Sequence, residues 1–271
     1  MIALLAAVMT AWGCGQKAAA PKVLVLFYSQ TSNTKTVAEA IAARLGADIE
    51  EIIAEPPFDG TYQETIERCL QERENGTVCG IQPIRSSIPD YDIIFIGYPV
   101  WFGTFAPPIS ALLDQIDLSG KKVVPFCTFG SGGLNSSSRD LVARIPDAEV
   151  LPGYGVRAAR LDAVPAEIDR FLKEGGFMEG EVTPLEDFPA PHEVSEEEAA
   201  IFDAAVEGYR MLNAKATQAA SRPIPDGTEY LFTAVDLPRE GGPGFQGAPR
   251  EMQVYVLVET GKAPVFTQVV R

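Results

Sequence analysis

The sequence predicts a doubly wound α/β domain built on a five-stranded parallel sheet, followed by a smaller α+β domain. Three observations predict it. From residue 22 onward, short continuous apolar runs alternate with helical patterns, as in βαβ units whose strands are buried on both faces. An acidic stretch without lysine or arginine then interrupts the chain between Gly176 and Val194. Beyond it, one helical segment is followed by four strand-like runs.

Each element has its own justification. Residues 22–28 (KVLVLFY) form a fully apolar strand. Residues 33–45 carry Val37, Ala38, Ile41, Ala42 and Leu45 at helical spacing, which gives one apolar stripe. Residues 47–53 read as the second strand and 61–74 as a polar helix. Residues 91–98 (YDIIFIGY) are a third buried strand. The proline doublet Pro107-Pro108 opens a helix over 107–116, since proline is favoured in a first helical turn. Residues 121–128 (KKVVPFCT) make the fourth strand, 136–145 a helix, 149–156 the fifth strand and 165–173 the closing helix before Gly175-Gly176. Crossovers in such a sheet are right-handed.

The expected division is a leader at 1–13, an α/β domain at 22–175, a linker at 176–194 and an α+β domain at 195–271. The linker holds Glu179, Glu181, Glu186, Asp187 and Glu193, with Pro184, Pro189 and Pro191, a composition that favours an extended, exposed chain. Ser195 followed by Glu198 is a capping box, and the helix it opens is striped by Ala199, Phe202, Val206 and Tyr209. Strands are expected at 215–221, 228–235, 251–258 and 265–270, with a glycine-rich hairpin loop at 241–247.

Composition excludes several function classes. The 271 residues carry a net charge of −15, which opposes binding to nucleic acid or to an anionic lipid surface. His192 is the only histidine, so any histidine-dependent triad or metal site must use it; its place in the linker reads as solvated. The four cysteines are too few and too scattered for a disulfide scaffold or a paired-cysteine zinc site. Cys69 and Cys79 flank a short turn and, outside the cytosol, could pair or stand as separate thiols; Cys127 reads as a buried small hydrophobe.

Residues 2–12 form an apolar run of signal-peptide length that leads into Gly13-Cys14. The segment resembles a bacterial lipoprotein signal. That resemblance implies cleavage before Cys14, lipid attachment to its thiol, and a location anchored on the extracytoplasmic side of a membrane. The segment departs from the pattern in lacking a basic residue before the apolar run and in placing the bulky Trp12 close to the cysteine.

Ligands on a doubly wound sheet bind beyond the carboxyl ends of its strands, which directs attention to three loops. The first, Ser29-Gln30-Thr31-Ser32-Asn33-Thr34, is dense in hydroxyls and ends at a helix N-terminus, a setting that favours a phosphate dianion without a metal. The second runs Gly97-Tyr98-Pro99-Val100-Trp101-Phe102-Gly103-Thr104-Phe105. Its four aromatics suit a flat ring system or a hydrophobic plug. The third, Thr128-Phe129-Gly130-Ser131-Gly132-Gly133-Leu134, has glycines that let backbone approach a ligand closely.

Together these loops resemble the flavodoxin family over residues 22–175. The (S/T)-x-T-x-N-T loop, the G-Y-P-V-W-F-G segment with its following proline doublet, and T-F-G-S-G-G before a serine-rich helix start carry the resemblance. It implies strand order 2-1-3-4-5 and FMN as cofactor. Carried over, Ser29, Thr31, Ser32, Asn33 and Thr34 hold the FMN phosphate. Pro99, Val100, Trp101, Phe102 and Gly103 border the ring, and Thr128, Phe129, Gly130 and Gly133 close its other side. Ser32 departs from the glycine that many members have there.

The resemblance implies an electron carrier, or a reductase acting on a small acceptor such as a quinone, with a redox partner protein or a small molecule as the other reactant. The chemistry belongs to the flavin, in keeping with the shortage of histidine. The competing reading is a non-enzymatic binding protein that keeps the fold without flavin. The one-helix, four-strand C-terminal segment, with Gly227-Thr228-Glu229-Tyr230 and Phe232, looks like a cystatin-like module.

Overall fold

The computed structural model describes residues 20–77, 79–237 and 250–271. The leader, Cys14 and the glycine-rich stretch 241–247 lie outside these. The elements run in chain order β1 (Val23–Phe27), α1 (Asn33–Leu45), β2 (Asp48–Glu51), β3 (Ala54–Glu55), α2 (Tyr62–Glu74), β4 (Gly80–Ile81), β5 (Ile93–Trp101), β6 (Thr104–Phe105), α3 (Pro107–Leu113), β7 (Lys122–Phe129), α4 (Leu134–Arg144), β8 (Glu149–Val150), β9 (Tyr154–Arg157), α5 (Val164–Glu174), β10 (His192–Glu193), α6 (Glu196–Val206), β11 (Ala214–Ile224), β12 (Gly227–Asp236), β13 (Glu251–Glu259) and β14 (Val265–Val270).

The first sheet has the order β2-β1-β5-β7-β8, and β9 also pairs with β7. These pairings are all parallel, so the doubly wound 2-1-3-4-5 arrangement is the observed one. The fifth strand is broken. Glu149–Val150 and Tyr154–Arg157 each pair with β7, and Pro152-Gly153 between them interrupts the run. Proline has no N–H for the ladder, and Gly153 lies so close to Pro125 that a Cβ would sit 2.4 Å from its carbonyl oxygen.

Strand alternation splits the core into two layers. Val25 and Phe27 face α1 and α5, meeting Val37, Ile41, Ile168 and Leu172. Leu24 and Leu26 face the opposite side, which shares a core with Ile109 and Leu112 of α3 and Leu141 of α4. Burying each such side chain stabilises the fold by about 1.5–3 kcal/mol. Gly97 is indispensable at the centre, because a Cβ there would sit 2.1 Å from the Phe126 ring.

The polar helix α2 buries only Thr65 and Cys69. Its ends and surface hold it instead. Thr61 and Glu64 form a capping box, and Arg68 pairs with Glu72 one turn on. The possible Cys69–Cys79 bridge is not formed. Both are free thiols buried in the same core, as is Cys127.

The C-terminal sheet is an antiparallel meander, β10-β11-β12-β13-β14, covered by α6. Phe202 of α6 meets Phe232 of β12 at 5.3 Å. His192 is exposed, in keeping with the solvated position its sequence context suggests. It belongs to edge strand β10, and its Nε2 lies 3.0 Å from Glu198 in the α6 capping box.

Candidate functional site

The carboxyl ends of β1, β5 and β7 lie side by side, since Phe27 pairs with Gly97 and Pro99 with Thr128. The three loops singled out in the sequence therefore share one edge of the sheet.

The first loop turns from β1 into α1 through Ser32, whose φ of 65° is left-handed. Its side chain makes no capping hydrogen bond. Among the described residues, the N–H groups of Gln30 to Thr34 donate to no protein acceptor, nor do the Thr31 and Ser32 hydroxyls have a protein partner. Successive free N–H groups around a left-handed residue at a helix start make a concavity suited to an anion. Ser29 is engaged locally, its Oγ accepting from the Lys35 N–H at 3.3 Å. Thr34 points the other way. It is fully buried, and its hydroxyl shares a 2.9 Å hydrogen bond with Thr128. Thr34 thus ties the first loop to the third, while the open face belongs to residues 30–33.

The second loop is a tight hairpin. Val100 pairs with Phe105 and Trp101 with Thr104, leaving Phe102 and Gly103 at the tip with φ of 51° and 84°. Two positive φ values match the strand twist of a two-residue hairpin. Ser136 of α4 holds the tip by donating to the Gly103 carbonyl at 2.6 Å. Phe102 is 60 % exposed. Trp101 is half-buried and meets Phe58 and Tyr28 edge-on, at 5.2 and 5.9 Å between ring centres. The two adjacent aromatics have thus separated, one into the protein and one towards solvent.

The third loop follows β7. Phe129 turns its side chain into the core, where a Cβ on Gly155 would touch it. Gly130 accepts at 2.9 Å from Arg157 Nε, and Gly133, at φ 129°, lies directly against Val100. Ser131 accepts at 2.6 Å from the Val269 N–H in the C-terminal sheet.

Several residues here escaped the sequence reading. Phe58 comes from the segment after β3, and Gln30 holds that segment by donating to the Phe58 carbonyl at 3.0 Å and to Thr65 at 2.8 Å. Arg68 lies 3.7 Å over the Phe58 ring. Burial pushes the Tyr28 phenol well above its ordinary range, so it stays neutral. No local pattern links these residues. Arg157, by contrast, had a signal: it ends β9, at the same carboxyl edge as the three loops.

The donor set fits the phosphate of FMN, and Trp101 and Phe102 stand where a flat ring could meet them. Two cavities lie elsewhere: about 410 Å³ beside Glu50 and Arg85, and about 970 Å³ between the two domains beside Arg160 and Glu229. Among the described residues no cluster of histidine, cysteine or carboxylate side chains could hold a metal ion.

The chain is similar to solved structures. A Bacteroides eggerthii DSM 20697 protein assigned to the flavoproteins is 26% identical, with a TM-score of 0.52 over 58% of this chain and 98% of its own. A Lactobacillus acidophilus NCFM flavoprotein, solved in complex with FMN, is 28% identical over 50% of this chain and 93% of its own, with a TM-score of 0.47. A family model described as Flavodoxin matches residues 22–164. That match spans more than half of the sequence, and the chain belongs to the flavodoxin family.

Proposed function

We propose that the chain binds FMN and works in electron transfer, as a carrier or as a reductase of a small acceptor such as a quinone. The observation that carries this reading is the run of unengaged N–H groups at Gln30 to Thr34, beside the aromatic hairpin on the same sheet edge. These N–H groups, with the hydroxyls of Ser29, Thr31 and Ser32 and the amide of Asn33, would bind the phosphate. Pro99, Val100, Trp101, Phe102 and Gly103 would border one side of the ring. Backbone at Thr128, Phe129, Gly130 and Gly133 would border the other.

FMN, when bound, supplies one- and two-electron chemistry. The protein's part is to orient the ring and set the cost of adding negative charge to it. A net charge of −15 lowers the potential of the bound ring, with distant charges screened by salt. No nicotinamide site is evident in the sequence, which favours a carrier that receives electrons from a partner protein. A pull-down from native membranes is the route to that partner. The reading extends to an exported protein anchored through a lipid on Cys14, with a cystatin-like second domain.

A second reading rests on the C-terminal strand that occupies the third loop at Ser131 and Gly132: a binding protein that keeps the fold without flavin. Mixing purified protein with FMN separates the two. Quenched flavin fluorescence and a yellow chromophore retained on a desalting column are expected. A folded protein that does neither would overturn the flavin reading.

A further inference from the structure

The C-terminal domain touches the α/β domain at one of the loops assigned to the cofactor. Arg157, only 7% exposed, ends β9 between the two domains. Its Nε donates to the Gly130 carbonyl and its Nη1 to the Phe266 carbonyl of β14, both at 2.9 Å. The guanidinium lies 3.4 Å over the Phe266 ring, with the Tyr209 ring at 5.2 Å. Among the described residues no carboxylate pairs with it.

The next two loop residues are also engaged. Val269 donates to the Ser131 carbonyl at 2.6 Å. A Cβ on Gly132 would lie 2.1 Å from the Val269 oxygen, and one on Gly130 would lie 3.3 Å from the Tyr209 hydroxyl. On the other flank, Gly133 rests on Val100 of the aromatic hairpin. A glycine-rich loop is costly to order. Here its order comes from contacts reaching across both domains.

We propose that the C-terminal domain is part of the cofactor site, and that Arg157 is the positioning residue through which it sets the third loop. This rests on the FMN reading. Arg157 holds Gly130 and Phe266 in fixed relation through its planar fork, and β14 fixes Ser131 and Gly132. The same side chain keeps a cation without a carboxylate partner within hydrogen-bonding distance of the loop. Arginine does not lose its proton in proteins, so that charge persists and offsets the acidity of the chain where the ring would gain electrons.

The test uses the full-length protein with R157K, R157M and V269P variants, each checked for native circular dichroism. The Val269 N–H points away from β13 towards Ser131, on an edge strand where proline is tolerated. FMN affinity is measured first, then the reduction potential during dithionite titration. R157M and V269P are expected to weaken FMN about tenfold. In R157M the reduced form should weaken about tenfold further than the oxidised one, a fall of ~59 mV for a one-electron couple. R157K, which keeps the charge but loses the fork, should restore the potential more fully than the affinity.

Wild-type protein that binds FMN alongside variants of unchanged affinity and potential would overturn the inference alone. Wild-type protein that fails to bind FMN would overturn the flavin reading and this inference with it. If R157M does not fold, V269P and R157K decide the outcome on the same readouts.

Discussion

Thr34 and Thr128, 94 positions apart in sequence, share a buried hydrogen bond of 2.9 Å between their hydroxyls. It joins the first turn of α1 to the end of β7, and so couples the hydroxyl-rich loop to the glycine-rich one. Thr34→Val leaves the Thr128 hydroxyl buried and unpaired, which costs about 1–3 kcal/mol. The double change Thr34→Val with Thr128→Val removes both polar groups and should recover much of that loss. Urea unfolding of the three variants checks this; a double variant no more stable than Thr34→Val would mean that the bond is not what matters there.

Ser32 holds a left-handed backbone without a capping bond. A β-branched residue resists that conformation, so Ser32→Val should destabilise by about 1–3 kcal/mol and weaken FMN at least several-fold. Ser32→Gly relieves strain but frees the unfolded chain, so its stability should stay within about 1 kcal/mol of the parent. Thermal unfolding and flavin fluorescence measure the two effects side by side.

Trp101 and Phe102 allow packing and ligand contact to be told apart. Trp101 packs against Phe58 and Tyr28, so Trp101→Ala should lower stability by about 1–3 kcal/mol, less than a fully buried aromatic loses, and also weaken FMN. Phe102 is mostly exposed. Phe102→Ala should therefore change stability by no more than about 0.5 kcal/mol while weakening FMN several-fold. Unchanged affinity in Phe102→Ala would leave Trp101 as the ring's neighbour in this hairpin.

Stability should fall on the alkaline side. Burial pushes the Cys79 thiol up to about 12, and raises Cys69 and Cys127 as well. Above pH 9 the unfolded chain releases thiol protons that the native state keeps, so unfolding becomes more favourable as pH rises. The stabilisation by Cys79 is whole below its unfolded pKa and is lost between about 9 and 12, at up to ~1.4 kcal/mol per pH unit. Denaturation from pH 8 to 11 measures the slope, and Cys79→Ala should flatten it. Over the same range native Cys79 should resist alkylation.

Glu50 works in the acid direction. Burial alone would raise its carboxyl, but donors from Ser86 and Arg85 outweigh this and hold it below the usual range. Its contribution is present above the unfolded glutamate pKa and is lost as pH falls through the lower folded value. Glu50→Gln should therefore reduce the loss of stability on acidification, as measured by urea midpoints between pH 3 and 7.

The apolar runs at β1, β5 and β7 and the stripe Val37, Ile41 determined the doubly wound fold, because period and burial are written locally in residue type. The order of strands likewise brought the hydroxyl-rich, aromatic and glycine-rich loops together, since a sheet of this kind places its loops along one edge. Tertiary structure decided the rest. It turned Thr34 and Phe129 inward, separated Trp101 from Phe102, left Cys69 and Cys79 unpaired, and split the fifth strand at Pro152. It also placed Val269 and Phe266 against the third loop through Arg157. These outcomes depend on packing between segments distant in sequence, such as Arg157 and Phe266, 109 positions apart, and no local pattern encodes which buried groups meet there.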